Sequence, residues 1–279
     1  MGQPMNALDS TRATRGPACG DTARASAASA GLVPSKTKYT RADWIEIDRH
    51  PEAIFERRFA RMRRSVWWSG QGHGASFSGR YGDKPWFVTL TYRPGQEWAA
   101  QHVQQAMKRV KAWAARRGIK TLRYTWVAEL QQRGAVHYHL IVYLPKSLSM
   151  PKWDKQGWWP WGMTNTQRAK SGVGYLMKYV SKLSPLHKFP PGLRLFGIGG
   201  LNVEARAIRT WHNLPRWAKD TCGVGQVTRR ACGLVVRATG EILASPWVLF
   251  KGGGRLLLRA VGEIPERFGD GPYSSWSPA

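Results

Sequence analysis

Acidic residues are scarce in this chain. Seventeen Asp and Glu stand against 43 Lys and Arg, which leaves a formal charge of +26 over 279 residues. An imbalance of that size says nothing about fold but predicts a polyanionic partner. Long apolar runs are missing as well. No stretch approaches the ~18 residues needed to span a bilayer, and the N-terminus lacks the continuous apolar stretch of a signal peptide. An anionic membrane surface is therefore a poorer match than nucleic acid. Cysteine is nearly absent: Cys19, Cys222 and Cys232 are widely spaced and form no CxxC pair. That pattern argues against a disulfide framework and a closed zinc site, and fits a reducing cytoplasm. The sequence also contains no GxxxxGK[ST], so no nucleotide-hydrolysing helicase module is visible.

What is present supports a folded core. Hydrophobic residues make up 42% of the chain and include 15 Trp. Most of those rings belong to a core, while some could offer faces to unstacked bases. Residues 1–40, rich in Ala, Ser, Thr, Gly and Arg, read as a mobile basic tail. A short helix is expected from Trp44 to Arg64, ending in the basic group Arg58, Arg61, Arg63 and Arg64. The glycines between Ser69 and Pro85 predict a loop.

From Trp86 the pattern becomes orderly. Trp86–Tyr92 reads as a strand, Glu97–Arg117 as a helix, Thr121–Leu130 and Ala135–Leu144 as a hairpin turning at Gln131–Gly134. Residues 146–167 read as a Pro- and Trp-rich loop, and Ser171 can cap a helix over Val173–Leu183. Beyond Pro185 the chain reads as irregular, with strand-like runs at Gly233–Arg237 and Trp247–Phe250. The fold class expected is α+β, a central antiparallel sheet with flanking helices. The chain divides into the tail (1–40), a main domain (41–205) and a small C-terminal extension (206–279).

Three features carry chemistry. Side chains alternate across a strand, so His137 and His139 project from one face about 7 Å apart. Glu129, on the partner strand of the hairpin, can share that face. Two imidazoles and a carboxylate suit a catalytic Mg²⁺ or Mn²⁺ with open coordination positions. Taken alone, a His-x-His pair fits ordinary packing equally well. On the following helix, Tyr175, Lys178, Tyr179 and Lys182 fall within an arc about 100° wide. Leu176, Val180 and Leu183 form an adjoining apolar stripe. The helix can dock by that stripe while holding two phenols and two ammonium groups over another surface, or it can simply place tyrosines at a core boundary. Between Leu130 and Val203 there are ten basic residues and one acidic residue, Asp154. Arg133, Lys152, Lys155, Arg168 and Lys170 among them, with Trp158, Trp159 and Trp161 interleaved, outline a candidate groove for a single strand. Such a charge run also fits a solvated face.

Together these segments resemble the HUH endonucleases, named for a His-hydrophobe-His metal motif, and among them the two-tyrosine, gene-A-like replication initiators of small bacteriophages and plasmids. The resemblance spans about Trp86 to Lys182. Phe87-Val88-Thr89-Leu90-Thr91-Tyr92 is similar to the strand that floors the site in that family. Glu129 with Arg133-Gly134-Ala135-Val136-His137-Tyr138-His139 is similar to the metal motif, and Tyr175 to Lys182 to the nucleophile helix. The resemblance implies metal-dependent nicking and rejoining of single-stranded DNA at a replication origin, through a 5′-phosphotyrosine, in the cytoplasm of a bacterial host. It implies Tyr175 and Tyr179 as nucleophiles aided by Lys178 and Lys182, and a metal on Glu129, His137 and His139. A host helicase and polymerase are the implied partners. An HUH transposase or relaxase, and a non-catalytic DNA-binding regulator, are the alternatives.

Overall fold

A computed structural model describes residues 44–47, 49–75, 84–131, 134–169, 172–183, 189–252 and 254–261. The expected tail, together with Arg133, Lys170 and Ser171, lies outside them. In chain order the elements are β1 (Trp44–Glu46), α1 (Pro51–Ala75), β2 (Lys84–Tyr92), α2 (His102–Ala115), β3 (Arg123–Leu130), β4 (Val136–Leu144), β5 (Gly162–Arg168), α3 (Val173–Val180), β6 (Phe196–Gly199), α4 (Val203–His212), α5 (Arg216–Thr221), β7 (Val227–Arg230), β8 (Gly233–Val236), β9 (Trp247–Gly252) and β10 (Arg255–Ala260).

The centre is a five-stranded antiparallel sheet in the order β5-β2-β4-β3-β6. Helices flank it, so the class is α+β, as the alternation of patterns predicts. β4 is the middle strand and is buried along its whole length, which is why Val136–Leu144 reads as a nearly continuous apolar run broken by its two histidines. One face carries Val88, Leu90 and Tyr92 with Tyr138, Leu140 and Trp126, and is covered by α2. There Tyr92 and His102 bond through hydroxyl and Nδ1 at 3.1 Å, and the Lys111 ammonium lies 5.0 Å over Tyr124. The opposite face is covered by α1 and α3. Beyond it, β1, β10 and β9 form a small sheet, whose Leu258 and Trp247 share a second apolar cluster with Leu214, Trp217 and Ile45.

Four expectations are corrected. The segment from Trp44 opens as a strand, because β1 pairs with β10 at the far end of the chain, a partner no local pattern reveals. The glycine-rich stretch after Ser69 stays helical as far as Ala75. Its glycines serve close approach between helices: a Cβ on Gly70 would lie 2.1 Å from the Val173 Cβ, and one on Gly72 would lie 2.5 Å from the Ala205 Cβ. Both glycines lower helix propensity, yet they let α1 lie directly against α3 and α4. Finally, the expected loop over 146–167 contains most of edge strand β5, which gains its order from pairing with β2. The region beyond Pro185 holds two further helices as well as strands.

His73 is 1% exposed, its ring 4.9 Å from that of Tyr143. Burial, then the charge of Arg123, presses its pKa from 6.5 down to about 4, with a partial offset from the Tyr124 backbone. The folded state therefore prefers the neutral imidazole. That contribution is complete above about pH 6.5 and is lost as pH falls towards 4, by up to roughly 3 kcal/mol. The melting temperature is expected to drop over this window, and His73→Phe to flatten the drop; an unchanged acid limb in the variant contradicts the assignment. The glycines give a paired prediction. Gly70→Val should destabilise by about 1–3 kcal/mol through overpacking, whereas Gly74→Ala, which meets nothing within 4 Å, should stabilise by about 0.5–1 kcal/mol. Denaturant titration of both variants checks the contrast.

Candidate active site

In an antiparallel pair, residues directly opposite one another project from the same face. Thr89 stands opposite His139, His139 opposite Val127, and Val127 opposite Phe196. One step along, Thr91 stands opposite His137 and His137 opposite Glu129. Both imidazoles and the carboxylate thus rise from one face. It is the face covered by α1 and α3, for Thr125 in the same set lies 3.2 Å from the Ser69 hydroxyl of α1. Phe87, also in that set, meets Tyr175 of α3 at 4.2 Å between ring centres.

The side chains converge further than register alone requires. Glu129 Oε2 lies 2.6 Å from His139 Nε2, and its other oxygen is 3.7 Å from the Lys182 ammonium. On the far side of the same imidazole, Nδ1 is 3.3 Å from the Thr89 hydroxyl. Both ring nitrogens are therefore engaged, and the ring orientation is set. Tyr179 stacks on His139 at 3.6 Å and 18° between planes, with Tyr175 5.9 Å from Tyr179. The apolar stripe docks α3 as expected, since Leu176 and Val180 are buried. Lys182 reaches the carboxylate and lies 5.3 Å over the Tyr179 ring, whereas Lys178 is exposed. Thr89 joins the site without belonging to any of the three chemical features of the sequence. The signal for it is its place in β2, level with the second histidine.

Burial alone would push the Glu129 carboxyl up. Its hydrogen bond to His139 and the charges of His139, Lys182 and His137 reverse this, and the net shift is downward. The Tyr179 phenol is pushed up to about 12, first by burial, then by Tyr175 through charge and hydrogen bond, and then by Glu129. The nearer ammonium, Lys182, is turned to the carboxylate and to the face of the Tyr179 ring.

The donor set fits a hard or borderline divalent cation in its chemistry. Two ligands bound at ~2.1 Å on adjacent corners stand about 3 Å apart, so the 2.6 Å between Glu129 and His139 is a few tenths short of that spacing. His137 is less advanced: its ring centre is 6.3 Å from that of His139. Among the described residues no group of three His, Cys, Asp or Glu converges on a single metal position. Glu129 and His139 form the ready pair, and His137 would have to close on them.

The Trp-rich loop is placed differently from the groove expected of it. Trp158 and Trp159 are 6% and 0% exposed. Trp158 packs on Trp113 of α2, and Trp159 donates from its indole nitrogen to the Thr91 carbonyl at 3.1 Å. These two rings are core and have no free face for a base. Trp161 is half-buried with His102 stacked on it at 3.9 Å. Arg168 stands opposite Trp86, 4.4 Å over its ring, on the face turned away from the imidazoles. Lys152 and Lys155 are exposed in the same loop. The physical reason is the loop's indole content, which buries far more apolar area on α2 than a solvent-facing groove could.

Residues 85–184 match the model of the family Replication-associated protein ORF2/G2P. The matched segment runs from β2 to just past α3 and holds Thr89, Glu129, both histidines, both tyrosines and Lys182. It supports a role in replication initiation. No curated protein and no solved structure matches the chain. Among the described residues no helix is long and apolar enough to cross a membrane.

The assignment of Trp159 to the core is open to measurement. Trp159→Ala should lower stability by about 3–5 kcal/mol, seen as an earlier denaturant midpoint. A variant of full stability with weakened DNA binding would return Trp159 to the groove.

Proposed function

We propose that this chain is a rolling-circle replication initiator that nicks and rejoins single-stranded DNA through a tyrosine on α3. The observation that carries the reading is Tyr179 stacked on His139, whose Nε2 meets Glu129, within the segment matching a replication-associated family. A phenol, an imidazole and a carboxylate within contact distance, edged by a lysine, suit phosphoryl transfer better than base stacking, which needs no carboxylate.

In this reading Glu129, His139 and His137 hold a Mg²⁺ or Mn²⁺ ion. When bound, that ion withdraws charge from the scissile phosphate and helps orient it. Thr89 keeps the His139 ring turned towards Glu129. The phenolic oxygen attacks phosphorus as its proton departs to solvent. The bond from phosphorus to the 3′-oxygen breaks, and that oxygen takes up a proton, leaving a 5′-phosphotyrosine and a free 3′-hydroxyl. The covalent link conserves bond energy, so the 3′-hydroxyl can later reverse the step without ATP. Lys182 works through Glu129, neutralising a carboxylate whose charge opposes ionisation of Tyr179. Tyr175 is the second phenol, one turn away on the same helix face, and can serve the second cut that ends a replication round. A host helicase and polymerase supply unwinding and synthesis.

The test is recovery of a covalent adduct after incubation with circular single-stranded DNA from the chain's own replicon and Mn²⁺. Peptide mass spectrometry should find nucleotide on Tyr179, Tyr175 or both. Chelator, His139→Ala and Glu129→Ala should each abolish the adduct while leaving most of the binding, which comes from dispersed cations. An adduct formed at full rate in chelator rejects the metal; nucleotide on neither tyrosine rejects the mechanism.

A further inference from the structure

A second strongly cationic feature lies outside the candidate active site. A cleft of about 790 Å³ opens between the first half of α1 and the end of α4. Seven arginines line it, five from α1 with Arg209 of α4 and Arg229 of β7, against one acidic residue, Glu56. The sequence shows only the α1 group; folding brings the rest of the wall from more than a hundred residues away. The two walls are tied together, because the Asn213 amide donates to the Ser65 hydroxyl at 3.2 Å and to the Arg209 carbonyl at 2.8 Å.

Arg64 and Arg209 are each half-buried, with a buried Nε that has no hydrogen-bond partner among the described residues. Burial, then the charge of Arg61, lowers the pKa of both. A desolvated group of like charges is unfavourable unless an anion completes it. Guanidinium forks suit phosphate oxygens in particular. Phe59, Phe196 and Leu214 supply apolar lining between the cations.

The location selects the ligand. Phe196 shares a row of the central sheet with Val127 and His139, so it stands two interstrand spacings, about 10 Å, from the imidazole. A strand seated among the arginines could run along that row to Tyr179. A cleft of this volume is in the range that holds a small ligand, so it admits a few nucleotides of single strand and is too small for a duplex to enter. We propose that this arginine cleft binds the phosphodiester backbone of single-stranded DNA flanking the scissile phosphate. The proposal rests on the reading above in taking DNA as the strand and Tyr179 as its point of attack.

Binding of the full chain to a labelled oligothymidylate, measured in EDTA over a series of salt concentrations, reads the cleft without the nicking chemistry. Arg58, Arg61 and Arg229 are exposed, so replacing all three with Gln leaves the interior intact. Affinity should fall at least about tenfold. The slope of log affinity against log salt should become shallower by about 2, at ~0.7 per phosphate contact on a single strand. Unchanged affinity and slope overturn the proposal, as does a loss confined to a hairpin duplex. A second readout needs no variant: the bound oligothymidylate should protect Arg64 and Arg209 from phenylglyoxal, mapped by peptide mass spectrometry. Undiminished modification at saturation also overturns it. A chain that forms the tyrosine adduct but fails both measurements defeats the cleft alone; one that passes both yet never forms an adduct defeats the nicking reading alone.

Discussion

In the ladder formed by β2, β4 and β3, Thr89, His139 and Val127 occupy one row, and Thr91, His137 and Glu129 the next. A slip of one residue in either pairing would turn the slipped strand's whole set of side chains to the opposite face. If β4 slips, the imidazoles enter the layer of Val88, Leu90 and Trp126 under α2, where no carboxylate stands. Burying two polar rings there without partners is unfavourable, as is exposing the large apolar residues that the slip would bring out. The same register that places the chemistry is therefore held by the core on the other side of β4. Everything else at the site, from the Thr89 hydroxyl on Nδ1 to the Lys182 ammonium on Glu129, depends on that pairing.

Register brings the donors together but does not bring the tyrosines to them. That depends on α1, whose glycines allow Val173 and Ala205 to approach its backbone directly. Any side chain at Gly70 would push the first turn of α3 outwards. Tyr179, a turn and a half further on, would lose its stack on His139. Packing at one end of a helix thereby controls contact geometry at the other, because an α-helix transmits displacement as a nearly rigid rod.

Charge is distributed by the same architecture. The two faces of the sheet separate aromatic surface from cationic surface: indoles from the loop before and into β5 are consumed by α2, while arginines of α1 and α4 gather beside the imidazole face. An abundance of Trp near Lys and Arg in sequence suggested a shared groove. In space the two populations largely part, since a ring buried against a helix gains more than one left open to solvent.

Local pattern was enough for β2, α2, β3, β4 and α3, for the common face of His137 and His139, for the carboxylate opposite them, and for the docking stripe of α3. Alternation with period two and turns with period 3.6 are properties of neighbouring residues, so they are readable without a fold. What local pattern could not supply is every relation that joins distant segments. Residues 44–46 become a strand only because β10 lies beside them, and residues 162–168 only because β2 does. The glycines after Ser69 read as loop residues until Val173 and Ala205 stand against them. Trp158 and Trp159 read as exposed faces until α2 stands against the first and Tyr92 and Tyr138 of the sheet against the second. Lys182, just past the end of α3, meets Glu129, while Lys178 is exposed. The arginine cleft needs α4 and β7 beside α1. The sequence by itself determined the periodicities and the kinds of chemistry available; tertiary structure alone decided which groups meet, since burial and cross-strand pairing are contacts between residues far apart in the chain.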